Sequence, residues 1–227
     1  MTSENTEGAP LRGRAREAQG NDSAILRAAR EVFSEWGWGA PMSEVAARAN
    51  TGVASIYRRY PSKTDLVNAI RVIALRLICE LAEDCVSAPA DAVESAQSPS
   101  AIERFLKRHI AEANGPLMPL LGRPVGSTPE IDALAARLEL ALAAVIAVDR
   151  ELGLVPEHYG PGDLMLTITH LRPALTVPRE RANEIHLREL DYVLAGLRAF
   201  AESGAEPAGE PSSWDEWMAL NNADGRE

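Results

Sequence analysis

Residues 41–66 read PMSEVAARANTGVASIYRRYPSKTDL. Pro41 suits the opening of a helix, where a missing N–H costs nothing. Met42, Val45, Ala46 and Ala49 then share one apolar face at helical spacing. Asn50-Thr51-Gly52 interrupts that pattern; Asn tolerates the left-handed conformation of a tight turn, and Gly adds freedom. A second short helix is expected from about Val53 to Tyr60, with Val53, Ile56, Tyr57 and Tyr60 on one side. Its other side carries Ala54, Ser55, Arg58 and Arg59. Pro61 ends it, and Ser62-Lys63-Thr64-Asp65 has the form of a capping box, a Ser N-cap with an acid three residues on. The long helix it opens is expected to reach about Asp84, with Leu66, Ile70, Ile73, Ala74, Leu77, Ile78 and Leu81 as its apolar stripe.

Two short helices joined by a tight Gly-containing turn make a helix-turn-helix. In that arrangement the second helix lies in the major groove of DNA and the first crosses the backbone. The residue types suit the task. Thr51 and Gly52 precede a helix start, where backbone N–H groups favour phosphate. Ala54 and Ser55 are small enough for close approach to base edges, and Arg58 and Arg59 can pair with phosphate or with guanine. Lys63, in the first turn of the next helix, can neutralise a phosphate.

Upstream, Ile25, Leu26, Ala29, Val32, Phe33 and Trp36 mark a helix from about Ser23 to Trp36, stopped by Gly37. Residues 1–21 read as a polar, disordered arm, in which Arg12, Arg14 and Arg16 resemble the arms other DNA-binding folds lay into the minor groove. Downstream, helical periodicity continues and strand alternation is nearly absent. Residues 86–97 read as a loop, and Ser98-Pro99 opens a helix to Asn114. Thr128-Pro129 caps a long one to about Leu152, apolar over most of its girth (Leu134, Leu138, Leu140, Leu142, Val145, Ile146, Val148) and so expected to be central and buried. Helices at 161–171 and 178–203 follow, the second with Leu187, Leu190, Leu194 and Leu197 on one stripe. A Pro/Gly/Glu-rich linker at 204–213 precedes a capping box at Ser213–Glu216, and Trp214 and Trp217 are expected to dock onto the chain's own body.

The 227 residues carry a net charge of −10, which argues against a polyanion partner until its distribution is read. Residues 12–76 hold 11 Lys and Arg against 6 Asp and Glu, whereas residues 77–227 hold 12 against 25. A basic front on an acidic body fits a nucleic-acid-binding module attached to something else. No apolar run approaches the ~18 residues of a membrane span, and the opening MTSENTEG lacks a secretion signal. Cys79 and Cys85 are six helical residues apart, about 9 Å of rise and beyond the ~7 Å limit of a disulfide. Free thiols fit a reducing cytoplasm. No Gly-rich phosphate loop, no G-x-S-x-G elbow and no i, i+4 pairing among His109, His158, His170 and His186 is present, so neither catalysis, a cofactor nor a metal is expected.

Residues 24–66, AILRAAREVFSEWGWGAPMSEVAARANTGVASIYRRYPSKTDL, resemble the DNA-binding half of TetR-type transcriptional regulators. The matching features are Gly37-Trp38, Val45-Ala46 with Ala49, Ala54-Ser55-Ile56-Tyr57, Tyr60, Pro61-Ser62-Lys63 and Leu66. Asn50 stands where the family usually has Gly, Thr51 for Val, Arg59 for His and Tyr60 for Phe. The resemblance implies that Tyr57, Arg59 and Lys63 hold the sugar-phosphate backbone with help from Ser43. It places Gly52, Val53, Ala54, Ser55 and Arg58 at or near the groove. It also implies an all-α chain: a three-helix head at 22–66, a larger helical bundle at 67–203 that binds a ligand and dimerises, and a tail at 204–227. On that analogy 161–171 and 178–203 pair across a two-fold axis, and two heads meet a near-palindromic operator. A small-molecule effector would then release the DNA, with the long helix after Lys63 as the lever. His109, Met118, Met165, Thr169 and His170 are the candidate pocket residues. The competing readings are an effector-independent DNA-binding protein, an activator, and a helical enzyme.

Overall fold

The computed structural model describes residues 9–87, 100–112, 125–171 and 175–221, with side chains described from 22 to 220. The fold is all-α, and nine helices lie among the described residues. The chain divides into two units, Met1–Ile70 and Arg71–Glu227. Among the described residues no helix is long and apolar enough to cross a membrane.

The first unit is the three-helix head. Helix α1 spans Ala9–Trp36, so the arm expected to be disordered through residue 21 is helical from residue 9. The reason is local: Leu11, Arg12, Arg14, Ala15, Arg16, Glu17, Ala18 and Gln19 are helix formers, and Pro10 falls in the first turn, where it is tolerated. Gly37 ends α1 with φ +63°, and a 3-10 turn over Gly37–Gly39 leads to helix α2, Met42–Arg48. Asn50 takes the left-handed conformation (φ +51°), and the Thr51 N–H returns 2.9 Å to the Ala46 carbonyl, closing the turn. Helix α3 is Val53–Arg59. The head's core is Ile25, Ala28, Ala29, Val32, Phe33, Val45, Ala46, Ile56, Leu66, Val67 and Ile70, all buried. Trp36, expected inward, is 58% exposed. It sits at the last residue of α1, where the chain turns away at Gly37.

Helix α4, Lys63–Ser87, opens with the expected capping box: Ser62 N and Oγ both donate to Asp65 Oδ2 (2.9 and 2.7 Å), and Asp65 N donates to Ser62 Oγ (3.1 Å). Beyond the head its inward stripe is Arg71, Ile78, Ala82 and Cys85, with Cys79 and Leu81 flanking it. Ile73 and Leu77, assigned to the stripe from sequence, are exposed. An apolar girth this wide leaves the buried face undetermined until the partner helices are in place.

The second unit adds α5 (Ala101–Glu112), α6 (Pro129–Glu151), α7 (Pro161–Leu171), α8 (Arg179–Ser203) and α9 (Trp214–Asn221). Phe105, Leu106, Leu138, Leu142, Val145, Leu164, Ile168, Leu190 and Leu194 meet in one core. Helices α4 and α6 run parallel, since Arg76 pairs with Glu130 (2.5 Å), the Cys79 thiol donates to the Leu134 carbonyl (3.5 Å) and Glu83 takes both arms of Arg137 (2.7 and 2.6 Å). Thr128 caps α6 as expected, accepting from Ile131 N. Leu140 is the exception to the reading of α6 as buried all round, at 73% exposed. Helices α4 and α5 and the later elements cover other sides of α6 and leave that one open.

The expected opening of α5 at Ser98-Pro99 lies outside the described residues. Among those described, Ser100 is the cap, accepting from Glu103 N at 3.0 Å. Asp149, buried in the last turn of α6, completes it. Its carboxylate accepts from Ser100 Oγ (2.5 Å), Ala101 N (2.6 Å) and Ile102 N (3.3 Å), a negative charge set against a helix N-terminus.

The tail docks as expected. Asp163 accepts from Gly160 N (3.0 Å) at the start of α7 and from Ser212 N (2.8 Å) in the tail. Ser213 and Glu216 close a reciprocal cap on α9. The Trp214 and Trp217 rings lie 4.5 Å apart, and Trp217 is 8% exposed within the core. Gly162 makes the seat possible, because a Cβ there would lie 2.2 Å from the Ser212 carbonyl oxygen.

Candidate nucleic-acid interface

Helix α3 presents two stripes apart from its core side. Ile56 is buried and Val53 half-buried, which anchors the helix to the head. Ala54, Tyr57 and Arg58, spaced i, i+3, i+4, form an exposed stripe. Ser55 and Arg59, spaced i, i+4, form a second, half-buried one. Tyr57, read from sequence both as core and as a backbone contact, is 43% exposed and stands on the outward stripe. Ser43 on α2 and Gly52 before α3 are exposed, and Thr51 is half-buried. Six of the expected residues (Ser43, Thr51, Gly52, Ala54, Tyr57 and Arg58) thus have open surface on α2, the turn and α3.

Arg48, Arg59 and Lys63 are engaged within the head. Arg59 Nε pairs with Asp22 Oδ1 of α1 at 2.5 Å, and its Nη1 donates to Ser55 Oγ at 3.0 Å. Arg48 makes a two-armed pair with Glu35 (2.6 and 3.0 Å), which lowers the Glu35 carboxyl below its ordinary range. Lys63 points toward the turn after α1. Its ammonium donates to the Trp38 carbonyl and, at 2.7 Å, to the Ala40 carbonyl. It also stands 5.1 Å from the Phe33 ring centroid and 5.2 Å from that of Trp38. Partial burial lowers its pKa from the ordinary lysine value. Two of its three N–H donors are therefore spent on protein carbonyls. The side chains of Arg12, Arg14 and Arg16 lie outside the described residues.

The sequence contained no signal for the Asp22 contact, which joins two helices far apart in the chain. Nor did it reveal that Lys63 bridges the turn after α1.

The expected pocket residues that are described differ in burial. His109 is buried on α5 beside Phe105 (centroids 6.2 Å apart), and Met165 is buried in the core from α7. Thr169 is half-buried, its hydroxyl returned to the Met165 carbonyl of its own helix (3.0 Å). His170 is exposed, because it falls on the side of α7 away from Leu164, Ile168 and Leu171. Met118 lies outside the described residues. His186, not singled out from sequence, is buried on α8. Among the described residues no group of three or more His, Cys, Asp or Glu could hold a metal ion.

Residues 25–70 match the family model of bacterial regulatory proteins, tetR family. The match covers the head, whose α2, turn and α3 have the helix-turn-helix arrangement. Across most of its length the chain has the fold of TetR-type regulators. It is similar to the TetR transcription regulatory protein from Mycobacterium vanbaalenii at 23% identity, covering 83% of this chain and 99% of that one, with a TM-score of 0.51. It is similar also to the TetR family transcriptional regulator PfmR from Thermus thermophilus at 24% identity, covering 76% and 98%, again with a TM-score of 0.51. No curated protein matches the chain in sequence.

Proposed function

We propose that this chain is a dimeric transcriptional repressor whose grip on a near-palindromic operator is released by a small-molecule effector. The supporting observation is the outward stripe Ala54, Tyr57 and Arg58 on α3, set on a helix-turn-helix of the tetR family. Small residues beside an arginine let a helix approach base edges while the guanidinium takes phosphate or guanine. Tyr57 and Ser43 would hold the sugar-phosphate backbone from the two helices.

The dimer seam belongs along residues 178–203. Tyr192 and Phe200 are exposed on α8 beside exposed Ala195 and Ala199. Residues 161–171, expected to share that seam, offer less open surface: α9 covers part of α7, and His170 is its one exposed residue. The effector belongs in the second unit, where the imidazoles of His109 and His186 are buried. The reading assigns no catalytic role.

The test is selection of duplexes from a randomised pool by the full chain, followed by anisotropy titrations of the selected duplex across salt. Expected is affinity that falls steeply with salt, because each head neutralises several phosphates. Arg58→Ala should weaken the selected duplex by about tenfold or more. A chain that enriches no sequence and binds no duplex at low salt refutes the reading. Sedimentation at micromolar concentration tests the dimer, and compounds that raise the melting temperature should also release the duplex.

A further inference from the structure

The half-buried stripe of α3 is built differently from the outward one. Arg59 is held between two groups of its own chain, Asp22 at 2.5 Å and Ser55 at 3.0 Å. The carboxylate approaches the guanidinium from α1, which is not part of the helix-turn-helix pair. The Arg59 side chain keeps 28% of its surface and that of Asp22 43%, although the Asp22 Oδ1 that faces Arg59 is itself buried and the contact is an ion pair without hydrogen-bond geometry. An anion approaching α3 can therefore compete for Arg59, but only by displacing a carboxylate already in place.

We propose that Asp22 is a positioning residue for DNA readout: it withholds Arg59 from phosphate and, through Arg59, sets the Ser55 hydroxyl as a hydrogen-bond donor toward the groove. This rests on the DNA-binding reading above. A serine hydroxyl has one hydrogen and two lone pairs. The Arg59 N–H fills one lone pair, so the hydroxyl hydrogen is turned away from Arg59. The major-groove groups that accept such a hydrogen are guanine O6 and N7, adenine N7 and thymine O4; the cytosine amino group, a donor, is left with the one remaining lone pair. Ser55 therefore meets a base edge with one acceptor site fewer than a free serine, which biases it toward base edges that accept, by chemistry fixed within the head. Arg59, with its charge satisfied by Asp22, adds little to the indiscriminate attraction of phosphates.

The experiment uses the full chain as wild type, Asp22→Asn, Asp22→Glu, Arg59→Ala and the double variant Asp22→Asn/Arg59→Ala. The probes are a labelled random-sequence duplex and a duplex selected by the wild type, with its single-base variants. Asp22→Asn should tighten the random duplex by about three- to tenfold and steepen its salt dependence by about one released counterion. It should also flatten the preference at one base pair of the selected duplex. Arg59→Ala alone should change random-duplex binding by less than about twofold, and the double variant should lose the gain seen with Asp22→Asn. Asp22→Glu, which keeps the carboxylate, should behave as wild type. Unchanged or weaker binding by Asp22→Asn overturns the proposal. So does a gain that survives in the double variant, since that would be general charge removal rather than release of Arg59. A wild type that binds no duplex refutes the DNA-binding reading and this inference with it; a wild type that binds normally beside an inert Asp22→Asn refutes this inference alone.

Discussion

Gly162→Ala tests the docking of the tail with a single methyl group. Gly162 is the second residue of α7, and at an open helical position replacing Gly with Ala stabilises by about 0.5–1 kcal/mol. Here the added Cβ would lie 2.2 Å from the Ser212 carbonyl oxygen, 2.6 Å from that of Ser213 and 2.7 Å from the Ser213 carbonyl carbon. All three are backbone atoms, so no side chain can swing aside. The tail must retreat by roughly 1 Å to reach ordinary contact distance. That retreat stretches the 2.8 Å hydrogen bond from Ser212 N to Asp163 beyond useful length. A hydrogen bond to a charged group contributes about 1.5–3 kcal/mol. The seat of Trp217 loosens as well, and complete loss of a buried Trp costs about 3–5 kcal/mol. A destabilisation of about 2–4 kcal/mol follows for partial release. For a unit of this size that lowers the melting temperature by about 5–15 °C. The assay is thermal unfolding with tryptophan emission, in a Trp36→Phe/Trp38→Phe background that leaves only Trp214 and Trp217. Emission should shift to the red and protease should cut faster within the exposed linker at 204–211. A Gly162→Ala protein that melts at or above the parent temperature with unshifted emission refutes the argument, and the sign alone decides.

Three further outcomes follow from other contacts. Lys63→Met keeps an apolar stem but removes both carbonyl hydrogen bonds and the ammonium beside Phe33 and Trp38, and should lower the stability of the head by about 1–3 kcal/mol in a denaturant titration. Asp149→Ala strands Ser100, Ala101 and Ile102 at the start of α5 and should cost about 2–4 kcal/mol, with Asp149→Asn costing less because it keeps an acceptor. Burial pushes the Cys79 thiol up from 9.0 to about 11 and raises that of Cys85, so Ellman's reagent at pH 8 should label neither until the protein is unfolded. Because the folded chain holds the Cys79 proton more tightly than the unfolded one, stability from this group is intact below pH 9. It should fall by about 2–3 kcal/mol as pH rises to 11, a loss that Cys79→Ala abolishes.

The features legible in the sequence were those decided by residues within a turn of one another. The left-handed Asn50, the stop at Gly37, the Ser62–Asp65 and Ser213–Glu216 boxes and the Thr128 cap all stand where local chemistry put them. Features set by partners far along the chain were not legible. Asp149 lies 49 residues from the serine it binds, and Lys63 25 residues from the Trp38 carbonyl. Leu77 and Leu140 were misplaced for a related reason: helices apolar around most of their girth do not announce which side remains open. At the candidate interface the outward residues of α3 followed from spacing alone. The pairing of Arg59 did not, because a guanidinium's partner is chosen by whichever helix brings a carboxylate near.

The position of Lys63 has a mechanical consequence. A charged side chain in the first turn of α4 grips two carbonyls, at Trp38 and Ala40, that lead directly into α2. Pulling or twisting that first turn therefore cannot leave the start of α2 behind without breaking both bonds. A tilt imposed on α4 would reach the backbone-crossing helix through this rivet as well as through the chain that joins α3 to α4, so the reading head would turn as one piece.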